Sequence, residues 1–199
     1  MSLDKPHLDR PKIVREAVAL LDAEGLEHVT LRRLAARLGV QAPTLYWHLP
    51  NKAALITAIA EEVLTPLPVP PPPAGRWQDW LIELAQRLRA ALLAHPDGAR
   101  VIAAAQLSRN MAELSEIAMS TLVTHGMPLR EARLRVLTVE RFTIGYVLEE
   151  QAPRPDVANF DLAAFTASYP TVIAGISEYF QDGSTADDLF RDLVTLVVA

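Results

Sequence analysis

The sequence predicts an all-α protein: a small N-terminal helix-turn-helix unit followed by a larger helical body. Three observations predict it. Apolar residues recur at i, i+3, i+4 and i+7 in segment after segment, the spacing of a single helix face. Gly and Pro punctuate these segments at helical lengths. No stretch alternates apolar and polar residues as a half-buried strand does. Half of the 199 residues are hydrophobic, enough for a sizeable core.

The first helix is expected from about Arg10 to Glu24, with Ile13, Ala17, Leu20 and Leu21 on one face and Gly25 as its stop. The second follows Thr30, whose hydroxyl can accept a bond from an orphan amide of the first turn. Leu31, Leu34, Ala35 and Leu38 form its apolar face, and Gly39 sits where the chain must turn sharply. Pro43 falls in the first turn of a short third helix, where its missing N–H costs little. The fourth begins at Asn51, a good N-cap, and uses Leu55, Ile59 and Val63.

Prolines from Pro66 to Pro73 cannot be helix or central strand and favour an extended spacer. Two readings of that spacer stay open: a plain stiff linker, or a strut that passes motion between the two parts. The body beyond it is helical throughout. Trp77, Trp80, Leu81, Leu84 and Leu88 form one stripe, and apolar segments follow over Gly98–Leu107 and about Asn110–Thr124. A long helix is expected from about Leu129 to Gln151, stopped by Pro153 and Pro155. Two more are expected, Leu162–Phe180 and Ser184 to the end, the last capped by Ser184 or Thr185 with Asp187 and Asp188 near its positive end. The resulting division is 8–65 for the helix-turn-helix unit, 66–75 for the linker and 76–199 for the body. The stripe Val136, Val139, Thr143, Ile144, Val147 and the segment Leu189, Leu193, Leu196, Val197 are expected to build a four-helix bundle with a second copy; the alternative is an internal core.

The third helix is chemically odd. It carries Thr44, Tyr46, Trp47 and His48 within five residues, and a helix so short cannot bury them all while Leu45 faces inward. Projecting hydroxyl, phenol, indole and imidazole groups can donate to phosphates or touch thymine methyls. Residues 30 to 52 contain Arg32, Arg33, Arg37 and Lys52 and no Asp or Glu, a local charge of +4 in a chain of net charge -5. Phosphate binding needs local positive charge and does not need a basic protein.

Other classes have less support. The absence of cysteine excludes disulfides and thiolate zinc sites. The first ten residues hold no apolar signal core, and no stretch approaches the roughly 18 apolar residues of a membrane span. A soluble protein of the cytoplasm is therefore expected. The rivals are a helical enzyme and a protein-binding adaptor without DNA binding. No Gly-x-Ser-x-Gly turn, Walker loop or His-Glu-x-x-His pair is present, and Glu149 and Glu150, adjacent in sequence, point to different helix faces.

The run from Gly25 to Lys52, above all Pro43-Thr-Leu-Tyr-Trp-His48 followed by Asn51-Lys52, resembles the N-terminal domain of the TetR family of transcriptional repressors. The resemblance continues more weakly through Trp77-Gln-Asp-Trp80, Ala91 to Val101 and Arg141 to Glu149, and fades after Gln151. It is strongest to the tetracycline-responsive branch. It implies a homodimeric repressor on double-stranded operator DNA, released by a small-molecule inducer, with no required cofactor and no membrane partner.

The resemblance places Thr30, Arg32, Gln41, Ala42, Pro43, Thr44, Tyr46, Trp47, His48 and Lys52 at the DNA face. Arg32 suits a guanine edge; Gln41 suits adenine or simply caps the helix. Thr44, Tyr46, His48 and Lys52 suit phosphates, and Ala42 and Pro43 suit thymine methyls. For Trp47 two readings stay open, packing inside the small unit or facing the duplex. Ala42 and Leu31 stand where the tetracycline-responsive branch has a base-reading Gln and a Thr, so a different operator is expected. In the body, Ile102 stands where that branch has its drug-binding His, Leu84 and Leu88 where it has an Asn and a Phe, and Ala105 where it has a Thr; only Glu149 keeps a match. Magnesium–tetracycline is therefore not the expected effector. A more apolar pocket is expected, lined by some of Trp80, Leu84, Leu88, Ile102, Ala105, Gln106, Phe142 and Glu149, with Gln106 and Glu149 as its polar members.

Overall fold

The computed structural model describes residues 8–65, 67–105, 108–153 and 160–199. All regular structure among them is helical: α1 (Arg10–Glu24), α2 (Leu31–Arg37), α3 (Ala42–Tyr46), α4 (Lys52–Leu64), α5 (Trp77–Leu93), α6 (Gly98–Ala104), α7 (Arg109–Thr124), α8 (Leu129–Glu150), α9 (Leu162–Ser168), α10 (Pro170–Phe180) and α11 (Ala186–Val198). A 3-10 turn at Leu26–His28 joins α1 to α2.

Short polar side chains explain where several helices start. Thr30 accepts the Arg33 N–H at 3.2 Å, Asn51 the Ala54 N–H at 2.8 Å, and Ser108 the Met111 N–H at 3.1 Å, each satisfying an amide that lacks an intrahelical partner. Of the two candidate caps on the last helix, Thr185 holds the place: it accepts the Asp188 N–H while Asp188 accepts the Thr185 N–H. Gly39 and Gly98 show how geometry calls for glycine. Gly39 turns the chain between α2 and α3 at φ +66°, a conformation L side chains rarely adopt. At Gly98 a Cβ would lie 2.1 Å from the Leu92 carbonyl oxygen, so the turn from α5 to α6 closes only around glycine.

Some expected boundaries move. The helix expected over Leu162–Phe180 is two helices, because Tyr169 leaves the helical region (φ −129°, ψ 55°) ahead of Pro170, whose ring disfavours a helical preceding residue. The third helix ends at Tyr46, so His48 lies in the turn after it, its N–H bonded to the Leu45 carbonyl at 2.9 Å.

One continuous core runs through the molecule. In the N-terminal unit Ile13, Leu20, Leu34, Leu45, Leu49, Leu55 and Ile59 are all fully buried. The other side of α4 packs on α6, α5 and α7, while α5 and α8 are joined by α11. The end of α1 meets the α5–α6 turn through polar contacts: Asp97 accepts the Leu26 N–H at 2.7 Å, His95 Nδ1 lies 2.7 Å from Asp22, and Arg100 pairs with Glu27. Arg89 of α5 binds Glu150 through two nitrogens (2.8 and 2.6 Å) and Asp187 at 2.7 Å, with its guanidinium 5.0 Å from the Phe190 ring centre, so one side chain ties α5, α8 and α11.

The proline segment is not a free spacer. The Pro70 carbonyl accepts the Trp80 indole N–H at 3.2 Å, the Pro68 carbonyl accepts Arg87 at 2.7 Å, and the His125 Nε2 lies 3.3 Å from the Pro73 carbonyl. Pro66 lies outside the described residues.

The stripe assigned to a subunit interface goes elsewhere. Val136, Val139, Thr143 and Val147 are buried within the protomer, and Ile144 is half-buried. The physical reason is that α5 and α7 already cover that face of α8. On α11, Phe190, Val194 and Val198 point inward, whereas Leu196 is 75% exposed and Leu189, Leu193 and Val197 are half-buried. No residue of α9 or α10 is buried, and Phe160, Leu162, Tyr169, Val172, Ile176 and Phe180 are all exposed.

Candidate nucleic-acid interface and effector cavity

The helix-turn-helix is built around two leucines. Leu45 of α3 and Leu49 just after it are both fully buried, and α3 packs against α2. With Leu45 facing inward on a five-residue helix, the rest must face out. Gln41, Pro43, Thr44, Tyr46 and Trp47 are exposed, and Ala42 and His48 are half-buried. Trp47 is 91% exposed, which settles its two readings in favour of solvent. An indole so placed costs apolar hydration and contributes nothing to the fold, so its place needs another account.

The cations around α3 divide into two groups. Arg33 pairs with Glu24, and Arg37 pairs with Glu16 at 2.5 Å, both across to α1. The sequence shows an acid-free stretch, but the fold brings acids from α1 to its inner edge. Arg32 and Lys52 are exposed and carry no ion pair among the described residues, and Thr30 is half-buried with its hydroxyl engaged as the α2 cap. The N-terminal unit thus exposes the donors Arg32, Thr44, Tyr46, Trp47 and Lys52, with His48 half-buried in the turn after α3.

In the body, α5, α7 and α8 enclose a narrow apolar cavity. Leu81, Leu84, Ala85 and Leu88 line it from α5, Leu114 and Ala118 from α7, and Val136, Val139 and Glu140 from α8. Its free volume is about 10 Å³, room for roughly one water molecule. Two of the expected pocket residues, Leu84 and Leu88, are on its wall. Five others are placed differently. Trp80 is buried with its indole bound to the linker. Phe142 stacks toward Phe190 and Tyr146 on the α11 side (ring centres 6.0 and 5.9 Å). Ile102 is buried on α6, which packs against α4, and Ala105 is half-buried just after it. Gln106 lies outside the described residues. Glu149 is exposed.

The Glu149 placement is a matter of helix phase. Val136, Val139, Glu140, Thr143 and Val147 share the buried face of α8. Nine residues separate Glu140 from Glu149, two and a half turns, so Glu149 emerges on the opposite side. The buried carboxylate of α8 is Glu140, which the sequence reading missed. It is 9% exposed, and its Oε1 accepts the Ser115 hydroxyl at 2.6 Å. Burial pushes its pKa above the ordinary carboxylate value, partly opposed by the Ser115 bond and by Arg141 and Arg133. Its position on an i, i+4 track with Val136 was the available signal: an acid on an otherwise apolar face.

Ile102 and Ala105 offer no donor, Glu149 points away from Glu140, and among the described residues no three His, Cys, Asp or Glu side chains gather to hold a metal.

The comparisons with known proteins match both halves of this arrangement. Residues 13–59 match the model for bacterial regulatory proteins of the tetR family, and residues 69–192 match the model for the tetracyclin repressor-like C-terminal domain. The chain belongs to the TetR family. It is 37% identical over 169 residues to the tetracycline repressor protein class C of Escherichia coli, covering 84% of this chain and 77% of that protein. A possible TetR family transcriptional regulator from Streptomyces coelicolor A3(2) superposes with a TM-score of 0.83 at 32% identity, over 96% of this chain and 97% of that one. A TetR variant from Acinetobacter baumannii AYE in complex with minocycline superposes with a TM-score of 0.76 at 31% identity, over 96% and 92%. Members of the TetR family are transcriptional regulators rather than enzymes; they bind operator DNA as dimers and answer to small-molecule effectors. No helix among the described residues is long and apolar enough to cross a membrane.

Proposed function

We propose that this TetR-family chain is a homodimeric repressor that leaves its operator when a largely apolar small molecule enters the cavity between α5, α7 and α8. Residues 8–65 read DNA, 66–75 join the two parts, and 76–199 bind the effector and the second copy; the working place is the cytoplasm. Arg32 forks onto a guanine edge, Gln41, Ala42 and Pro43 meet base edges, and Thr44, Tyr46, Trp47, His48 and Lys52 hold the backbone beside Thr30. The observation that carries this reading is the outward array on α3, with only Leu45 of that helix buried. A second copy sets two such helices about one helical turn of duplex apart.

Selection from a random duplex pool tests it. The expected product is a two-fold symmetric site that differs from the tetracycline operator, because Ala42 and Leu31 replace a Gln and a Thr. Binding should weaken with salt by about 0.9 in log–log slope for each phosphate neutralised. Enrichment of no duplex, or of the tetracycline operator itself, refutes the proposal.

The effector is not magnesium–tetracycline. Support comes from Leu84, Ile102 and Ala105, which stand where the tetracycline-responsive branch has an Asn, its drug-binding His and a Thr, and from the outward position of Glu149. Calorimetry with magnesium and tetracycline is expected to give no micromolar binding; a micromolar isotherm overturns the point.

A further inference from the structure

Glu140 and the cavity beside it have a shared peculiarity. Apart from Glu140, the cavity is lined by the apolar side chains of Leu, Ala and Val. Among the described residues Glu140 has one hydrogen bond, from Ser115, and no ion pair. A carboxylate offers about four acceptor positions, so one hydroxyl leaves most of that capacity free. Burying a carboxylate with so little compensation is costly, and structure alone gains nothing from it: Leu or Met in the same place would pack against Leu84 and Val136 without the desolvation cost.

We propose that Glu140 is the charge-reading group of the effector site and that the effector is a hydrophobic cation, an apolar skeleton carrying a protonated amine. This rests on the reading of the cavity as the effector site. The amine supplies the partner the carboxylate lacks, as a charge-assisted bond in a site of low dielectric. Ser115 holds the carboxylate in place from α7, and the leucines and valines cover the skeleton.

The same geometry gives the signal a route. With a free volume of about 10 Å³ the cavity cannot take such a molecule unless α5, α7 and α8 part. Leu114 lines the cavity on one side and, on the other, a groove of about 270 Å³ that also borders Leu64, Thr65, Leu67 and Asn110. A molecule anchored at Glu140 and longer than the cavity passes Leu114 and reaches the end of α4. Occupancy then bears directly on α4, the helix that follows α3 in the chain, and a contact that differs between two positions of α4 is what a ligand needs to shift an equilibrium.

Three probes of one skeleton test this on the full-length chain: 4-phenylbutylamine, 4-phenylbutanol and 4-phenylbutyrate. Calorimetry at neutral pH should show the amine binding at least about tenfold more tightly than the alcohol, and the carboxylate not at all. Glu140→Gln should abolish the preference for the amine while keeping the alcohol. Ser115→Ala, which leaves the charge in place, should reduce the preference without abolishing it. Equal binding of amine and alcohol, an unchanged preference in E140Q, or no binding of the amine overturns the proposal. Operator release is read separately: amine binding that depends on Glu140 without release upholds the cation site and refutes the reading of the cavity as the inducer site.

Discussion

Glu61 and Asn110 hold each other twice. The Glu61 carboxylate accepts the Asn110 backbone N–H at 2.9 Å, and the Asn110 side-chain amide donates to the Glu61 carbonyl at 2.8 Å. The same carboxylate accepts the Arg109 N–H at 2.5 Å. The last helix of the DNA-reading unit thus supplies a second cap for the first turn of α7, beside Ser108, and links α7 to α4.

Glu61→Ala removes that cap and leaves two helix-end amides to water. A loss of about 0.5–2 kcal/mol is expected, the usual range for a lost cap. Thermal or urea unfolding measures it. The more specific expectation is functional: operator affinity without effector should fall less than the effector's power to release operator. Equal release in wild type and E61A shows that this contact carries no signal.

Trp47 should separate binding from folding. At 91% exposure its ring makes no core contact, so Trp47→Ala is expected to leave unfolding free energy within about 0.5 kcal/mol of wild type. Operator affinity should nevertheless drop. Lys52→Ala should weaken all duplexes alike and lower the salt slope by about one, whereas Arg32→Ala should cost about 1–3 kcal/mol at one base position and relax specificity there. A mobility-shift series over several salt concentrations distinguishes these outcomes.

Much of this was legible in the residues because the signals are local. Thr30, Gly39 and Asn51 mark helix ends by short-range chemistry, and the α1 and α4 faces follow from periodicity. What was not legible depended on partners distant in sequence. Arg33 and Arg37 read as free cations until α1 brings Glu24 and Glu16 beside them. Val136 and Val139 read equally as a dimer face or a core face, since one apolar stripe serves either purpose. The family resemblance points to Glu149 and is silent on Glu140, and only the phase of α8 against α5 and α7 separates the two.

The linker owes its path to Trp80. Its indole N–H on the Pro70 carbonyl, 3.2 Å away, is a buried bond, and proline carbonyls have no ladder partner of their own. Trp80→Phe keeps most of the ring and removes the donor. A loss of about 0.5–1.5 kcal/mol is expected for the bond, with some further loss from the smaller ring. The Val69 backbone amide should exchange faster with deuterium. Unchanged exchange shows that Arg87 on the Pro68 carbonyl suffices to hold the segment.

Glu140 should make the protein more stable in mild acid than its surface charges alone predict. Its folded pKa is raised by burial, so the native state holds the proton over a range where the unfolded chain, near the ordinary carboxylate value of 4.5, has released it. The stabilisation is fully present below that unfolded value and is lost as pH rises through the folded one. The charges that oppose the shift, Arg141 and Arg133, are on α8 itself; the side chains lining the cavity from α5 and α7 are Leu81, Leu84, Ala85, Leu88, Leu114 and Ala118, which carry none. Glu140→Gln cannot release a proton and keeps a group that can bond Ser115. Its stability should therefore exceed that of wild type above the folded pKa, and the two curves should converge in acid. Urea unfolding from pH 4 to pH 8 gives both curves. A wild type that gains stability relative to E140Q as pH rises means that the carboxylate is better solvated or better paired than its position beside Leu84 and Val136 allows.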